Sequence, residues 1–313
     1  MTRWFPRLLA ALAIATLAAC GGDDDPPPAN LAEVAQANGF TALTAAATKA
    51  GLVSTLTSAS ASLTVFAPTN AAFNTLATQL GFADATAMVN ALPAPALANI
   101  LSYHVLGARK SAADLVAGGS TQATAYTFDG APARLTLNTG GGVTITDAVL
   151  TNARVTTADV PASNGVVHAI DKVLVPPGVL NIVQMAQANP AFSTLVGAVV
   201  TANLQGTLSG TGPFTVFAPT NDAFAAIAST VAALTPPQLT TVLTYHVLAG
   251  QVLSSQIPFG TPVNTVSGQA LTVNASPLSI TDTTATPAPI VATDVRASNG
   301  VIHVIGKVLI PTL

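Results

Sequence analysis

The chain has 313 residues, half of them apolar and only 7% charged, with a formal net charge of −3. Nothing in it forms the basic stripe that neutralises phosphates, so a nucleic-acid partner is excluded. Its single cysteine, Cys20, excludes an intrachain disulfide and leaves no further thiol for catalysis or a metal.

Residues 1–19 read as a targeting segment. Arg3 and Arg7 precede an apolar run of twelve residues at 8–19, too short to span a bilayer as a mature helix. Leu17-Ala18-Ala19-Cys20 resembles the lipobox of bacterial lipoproteins. That resemblance implies that Cys20 is lipidated, becomes the first mature residue and anchors the protein to a membrane of the bacterial cell envelope on its extracytoplasmic side. Gly rather than Asp follows Cys20, which by similarity to enterobacterial sorting rules favours the outer membrane where one is present. Residues 20–29 form a tether: Asp23, Asp24 and Asp25 stay solvated, and Pro26, Pro27 and Pro28 stiffen the backbone. Without the leader, eight basic residues face thirteen acidic ones, a net charge near −5. Polarity comes mainly from Thr, Ser, Asn and Gln, so the expected surface is weakly charged and rich in hydroxyls.

A first domain is expected over 30–176. Asn30 can cap a helix carrying Leu31, Val34 and Ala35 on one side, and a second helix follows at 40–50. Thr64-Val65-Phe66 reads as a strand stopped by Pro68, after which Thr69 or Asn70 caps a helix through Leu76 and Leu80. Another helix at 95–101 leads into Tyr103-His104. Short Thr- and Val-rich runs come next, such as 134–137 and 143–145 around a turn at Gly140-Gly141-Gly142, and suggest a β meander or sandwich. The domain closes on 163–176, SNGVVHAIDKVLVP. Its Ser-Asn-Gly is turn chemistry, in which Asn and Gly tolerate positive φ. The strand that follows places His168 on the same face as Val166 and Ile170, with Val167 and Ala169 opposite, so both faces are apolar and the strand is central.

The whole set returns. Residues 298–311 read SNGVIHVIGKVLIP, identical at ten of fourteen positions. TVFAPTN at 64–70 recurs unchanged at 215–221, each copy with a Phe close behind (Phe73, Phe224), and YHVL at 103–106 recurs at 245–248. The offsets are 151, 142 and 135 residues, a period of domain size rather than of a solenoid. A second domain therefore spans 177–313, joined to the first by the very short Pro176-Pro177-Gly178.

These three motifs, in order and twice, resemble the fasciclin-domain family over nearly all of the mature chain. The resemblance implies an α+β fold: two tandem copies of a wedge-like β-sandwich with several helices packed at one end. It also implies an extracellular or membrane-anchored protein engaged in adhesion or matrix contact.

All four histidines, His104, His168, His246 and His303, lie inside the repeats. They are candidates for a metal or acid–base site, but two per domain are too few for closed zinc coordination, and Asp171, a further ligand, is Gly306 in the second copy. The favoured reading has each imidazole satisfying buried backbone or hydroxyl groups. Neither a G-x-S-x-G elbow nor a pair of carboxylates is present, and the Gly140–142 run lacks the Lys-Ser/Thr of a phosphate loop. No enzyme, metal or cofactor is expected. Asp159-Val160 and Asp294-Val295 match the place of an Asp-Ile dipeptide that serves receptor contact in some animal family members. Here Val replaces Ile, and the bland reading is an Asp capping the turn before the last strand. Candidate contact or structural residues are thus Tyr103, His104, Asp159 and His168, with Tyr245, His246, Asp294 and His303 in the second copy.

The expected function is a lipid-anchored binding module mediating adhesion or surface contact with a protein or glycan. The alternative is a carrier of an apolar small molecule in a groove of the domains, which requires a concave apolar pocket.

Overall fold

The computed structural model of the chain describes residues 28–140 and 142–313. The leader, Cys20, most of the tether and Gly141 of the glycine turn lie outside the described residues.

The first copy begins with α1 (Leu31–Ala37), α2 (Thr41–Lys49) and α3 (Val53–Thr57), then β1 (Leu63–Pro68). Helices α4 (Asn70–Gln79), α5 (Ala85–Ala91) and α6 (Ala94–Tyr103) follow, then β2 (Val105–Leu106) and α7 (Ala112–Ala117). The chain ends the copy with β3 (Thr121–Phe128), β4 (Ala131–Asn138), β5 (Thr144–Thr146), β6 (Asn152–Ala162) and β7 (Gly165–Ile170). The second copy repeats this as α8 (Ile182–Gln187), α9 (Ser193–Thr201), α10 (Gln205–Leu208), β8 (Phe214–Pro219), α11 (Asn221–Ala225), α12 (Ala228–Ala232), α13 (Pro236–Tyr245) and β9 (Val247–Ala249). It then runs through β10 (Pro262–Asn264), β11 (Ala270–Ala275), β12 (Leu278–Thr281), β13 (Ala288–Ala297) and β14 (Gly300–Ile305). The falling offsets have a structural cause. After α12 the chain passes through a short turn into α13, with nothing in the position of α5, and the place of α7 is taken by a single 3₁₀ turn at Ser254–Gln256.

Each copy is α+β and builds one seven-stranded sheet, in the order β2-β1-β7-β6-β5-β4-β3 and its equivalent. Only β1–β7 and β8–β14 pair in parallel; every other neighbour is antiparallel. The sheet curls so that one side of its central strands meets the far half. Phe66 and Ile170 pack there with Tyr103, Leu115, Leu135 and Ile145, and Phe217, Tyr245, Ile280 and Ile305 do the same in the second copy. Val65, Ala67, Val167 and Ala169, on the opposite side, lie under the helices. All six residues of β7 and all six of β14 are buried, as two apolar faces require.

The caps follow the local sequence. Asn30 and Asn181 each close a capping box. Thr69 and Thr220, not the Asn that follows, cap α4 and α11. That leaves Asn70 free to accept from Ala42 N–H and donate to Gly39 C=O, tying the α1–α2 turn to the start of α4.

The Ser-Asn-Gly turn corrects the expectation of positive φ at Asn. Asn164 stays outside the left-handed region and is buried, with its amide as a three-way clamp. Oδ1 accepts from Leu31 N–H at 2.9 Å, and Nδ2 donates to Leu56 C=O and Ser58 C=O at 2.9 and 3.0 Å. Asn299 makes the same bonds to Ile182, Leu208 and Gly210. The glycine is needed for close approach: a Cβ on Gly165 would stand 2.3 Å from Leu63 O, and one on Gly300 2.0 Å from Phe214 O.

The copies meet around Arg296 of β13. Its guanidinium lies 5.1 Å from the centroid of the Phe128 ring and 2.9 Å from Asp129, both on the β3–β4 hairpin of the first copy. Tyr126 O–H donates to Pro177 C=O, and buried Asn189 donates to Val149 C=O at 2.8 Å. Gly178 N–H donates to Arg296 C=O at 2.9 Å, so the short linker is bonded to both copies.

Because the obstructing atoms at the two glycines are backbone, no rotamer change relieves an added methyl group. Gly165→Ala and Gly300→Ala are each expected to cost about 1–3 kcal/mol or more. Scanning calorimetry of the full chain should show the first variant lowering one transition and the second the other, if the two copies melt as separate units.

Candidate functional site

The eight motif residues fall into two clusters per copy rather than one. At the C-terminal end of α6, Tyr103 and His104 enter the core together. Tyr103 is 1% exposed and donates its hydroxyl to Arg134 C=O at 3.0 Å; Tyr245 donates likewise to Ala270 C=O at 3.0 Å. Burial pushes both phenols above their ordinary pKa, with the carboxylates Asp147 and Asp282 adding to the effect.

His104 ends α6, and its Nδ1–H donates to Ile100 C=O at 2.7 Å, satisfying an orphan carbonyl of the last turn. Its Nε2 accepts from Leu174 N–H at 2.8 Å, just after β7. His246 repeats this with Val242 C=O at 2.8 Å and Leu309 N–H at 2.9 Å. These partners fix a neutral tautomer with the proton on Nδ1. Burial pushes the pKa of each down from 6.5 to about 4; the backbone carbonyl of Ile100 or Val242 opposes that shift without cancelling it.

The second cluster gathers Asp159 and His168. The His168 ring lies beside Phe66, centroids 5.7 Å apart, directly across the parallel pair. Its Nε2–H donates to Lys110 C=O at 3.0 Å, and its Nδ1 accepts from Asp159 N–H at 3.2 Å. His303 does the same with Val252 C=O and Asp294 N–H. This is the opposite tautomer from His104. All four imidazoles have both nitrogens committed to the backbone, and a metal or a transferred proton would have to displace a backbone partner. Among the described residues no group of three or more His, Cys, Asp or Glu side chains is placed to hold a metal.

Asp159 and Asp294 do not cap the turn before the last strand. Each sits at a bulge in its strand, at φ +58° and +60°, where Asp tolerates the left-handed region. The carboxylate of Asp159 accepts from Ala112 N–H at 2.8 Å, at the start of α7, and that of Asp294 accepts from Ser254 N–H at 2.8 Å and from the Ser254 hydroxyl. The bulge turns the Asp outward to hold the segment after β2, while its own N–H reaches back to the buried histidine. Asp159 and Asp294 are therefore placed as structural ties, Asp294 through both carboxylate oxygens and Asp159 through one.

Several equally regular residues escaped the motif reading. Thr64 and Thr215 each donate a buried hydroxyl to one carbonyl (Ala108, Gly250) and accept an N–H two residues on (Lys110, Val252). The side chains of Asp147 and Asp282 are fully buried, and each is paired with a lysine from the closing motif, Lys172 or Lys307. Each also accepts a backbone N–H beyond the last strand, Val175 or Ile310. Burial pushes the Asp282 carboxyl up, but bonds from Thr284, Ile310 N–H and Lys307 outweigh it and hold it below the usual range. These pairs share the offset of 135 residues seen in the closing motif, and that spacing was the available signal.

A Fasciclin domain model matches residues 38–176 and 190–311, and the chain belongs to the fasciclin-domain family. It is 46% identical to protein sll1483 of Synechocystis over 139 residues, 43% of this chain and 75% of that protein. It is 33% identical to transforming growth factor-beta-induced protein ig-h3 of Sus scrofa over 254 residues, which is 80% of this chain but only 35% of that protein. Cell surface glycolipoprotein MPB83 of Mycobacterium bovis is 39% identical over 134 residues, 40% of this chain and 58% of that one. Among solved structures, a FAS1 domain pair from the insect cell adhesion molecule fasciclin I aligns with a TM-score of 0.42 at 20% identity, covering 90% of this chain and 95% of that one.

Folding depresses the pKa of His104 and His246, so between pH 6.5 and about 4 the unfolded chain holds protons the native chain does not. Stability is full above pH 6.5 and drains as pH falls, by roughly 3 kcal/mol per histidine once pH 4 is reached. Urea unfolding from pH 7.5 to 4 should show this. His104→Phe should flatten the acid limb of the first copy while costing about 1–3 kcal/mol at neutral pH, because Leu174 N–H loses its acceptor. Chelator should leave the wild-type melt unchanged; a chelator-induced loss that His104→Phe abolishes would replace the structural role with a metal site.

Proposed function

We propose that this protein is a binding module of the bacterial cell envelope, anchored through lipidated Cys20, that mediates adhesion or surface contact with a protein or glycan partner. The observation that carries this reading is the exhaustion of its chemistry. The side chains of the four histidines, of Tyr103 and Tyr245, and of Asp159 and Asp294 are all bonded to the protein's own backbone, and what faces solvent is a weakly charged, hydroxyl-rich surface. Such a surface suits broad contact better than turnover. The relatives support the same reading: one is named a cell surface glycolipoprotein, and another, a transforming growth factor-beta-induced protein, is matched over 254 residues. No helix among the described residues is long and apolar enough to cross a membrane, so membrane attachment in this reading rests on Cys20. One acyl chain holds only marginally, and several hold stably.

Cys20→Ser is expected to release the protein from the membrane fraction or leave its leader uncleaved. Cells carrying that variant should lose whatever attachment to matrix-coated or cell-coated surfaces the wild type confers. Normal processing and membrane retention would remove the anchor from the proposal. Unchanged attachment in cells lacking the protein altogether would remove the adhesive role.

A further inference from the structure

The two copies share one architecture, so each apolar site in one has a counterpart in the other. Between the helices α1, α2 and α3 and the outer face of β1 and β7, the first copy holds an apolar cavity of about 120 Å³. The same place in the second copy, under α8, α9 and α10, holds about 30 Å³.

Hydrogen bonds establish which residues correspond. Leu31 and Ile182 donate to Asn164 and Asn299, whose amides donate in turn to Leu56 and Leu208 C=O. Ala42 and Thr194 donate to Asn70 and Asn221. Stepping from these anchors, Ala32 stands where Val183 does, Ala47 where Val199 does, and Val167 where Ile302 does; all six line their cavities. Each difference removes carbon from the first copy's wall, five carbons in all. The mouth differs in the same sense. Leu208 is 8% exposed, while its counterpart Leu56 is half-buried and neighbouring Val53 is 42% exposed.

Packed interiors rarely keep voids larger than a water molecule, and the second copy shows that this fold can fill the space. The polar side chains inside the first copy's wall are already bonded, and Gln36, the other polar residue lining it, is exposed to solvent. Both nitrogens of His104 are engaged, and the hydroxyls of Thr44 and Thr48 donate to carbonyls of their own helix. The interior of the space therefore offers no free hydrogen-bond donor to a polar or charged ligand, and its walls are mainly aliphatic. An apolar void of about 150 Å³ stays dry and takes benzene.

We propose that the first copy binds an uncharged apolar group of about benzene size, either a small hydrocarbon or the end of an alkyl chain, and that the second copy is its filled and silent duplicate. The ligand enters past Val53 and Leu56 and lies against Val65, Ala47 and Val167.

Methyl-detected NMR of a chain keeping both copies, titrated separately with benzene and with 1-octanol, tests this. The methyl signals of Val65, Leu101 and Val167 should move, and those of Val216, Leu243 and Ile302 should not. A response to benzene alone identifies a compact hydrocarbon, and a response to octanol identifies an alkyl end. The double substitution Ala47→Val, Val167→Ile, which copies the second domain's own residues, should weaken binding about tenfold or more. The reverse pair, Val199→Ala with Ile302→Val, should transfer the response to the second copy. Silence with both probes, equal responses in both copies, or undiminished binding in a folded Ala47→Val, Val167→Ile chain would overturn the proposal.

Discussion

Each domain depends on the parallel pairing of two strands about a hundred residues apart, β1 with β7 and β8 with β14. A parallel pair cannot be made by a hairpin, so the helices and the whole antiparallel meander must fit into the crossover. The pairing starts only because residues 165 and 300 are glycines, letting the backbone of the neighbouring strand come within reach. Immediately before each glycine, a buried asparagine draws the first helix and the third onto the start of the strand. Strand order, helix layer and the entry of the chain are all set from this corner.

The buried histidines extend the same logic to the other end of the domain. A helix leaves carbonyls unpaired at its C-terminus, and a strand that has left its sheet leaves N–H groups unpaired. One neutral imidazole answers both, because it offers a donor and an acceptor on opposite edges. His104 spans α6 and Leu174 in this way, and His168 spans the segment after β2 and the bulge at Asp159. The two tautomers are opposite because the order of donor and acceptor is opposite, a choice made by the surroundings and not by the residue.

Much of this was legible along the chain. The apolar residues on both faces of GVVHAI marked β7 as buried on both sides, Pro68 marked the end of β1, and the capping residues marked helix starts, because those signals act between near neighbours. The three repeated motifs showed the duplication and the α+β family fold. What stayed hidden was partnership across distance. Asn164 looked like an ordinary turn residue because its partners, Leu31, Leu56 and Ser58, lie more than a hundred residues earlier. Asp159 looked like a turn cap because the bulge that turns it outward exists only once β6 pairs with β7. Nothing along the chain pairs Ala47 with Val199; only the packed copies reveal that one leaves space and the other fills it.

The clamp at Asn164 also determines how load passes through the molecule. Ala29 is bonded to Ser163 at the start of β7, and the chain leaves the first domain through Pro176 at the other end of that strand. A pull between the two ends of the domain therefore runs lengthwise along β7. Its hydrogen bonds to β1 on one side and β6 on the other are strained together, in shear, instead of peeling one by one. The second domain repeats the geometry, with Leu180 bonded to Ser298 ahead of β14. A chain held at its N-terminus and tugged at its far end thus meets its strongest resistance along the strand that carries its most repeated residues.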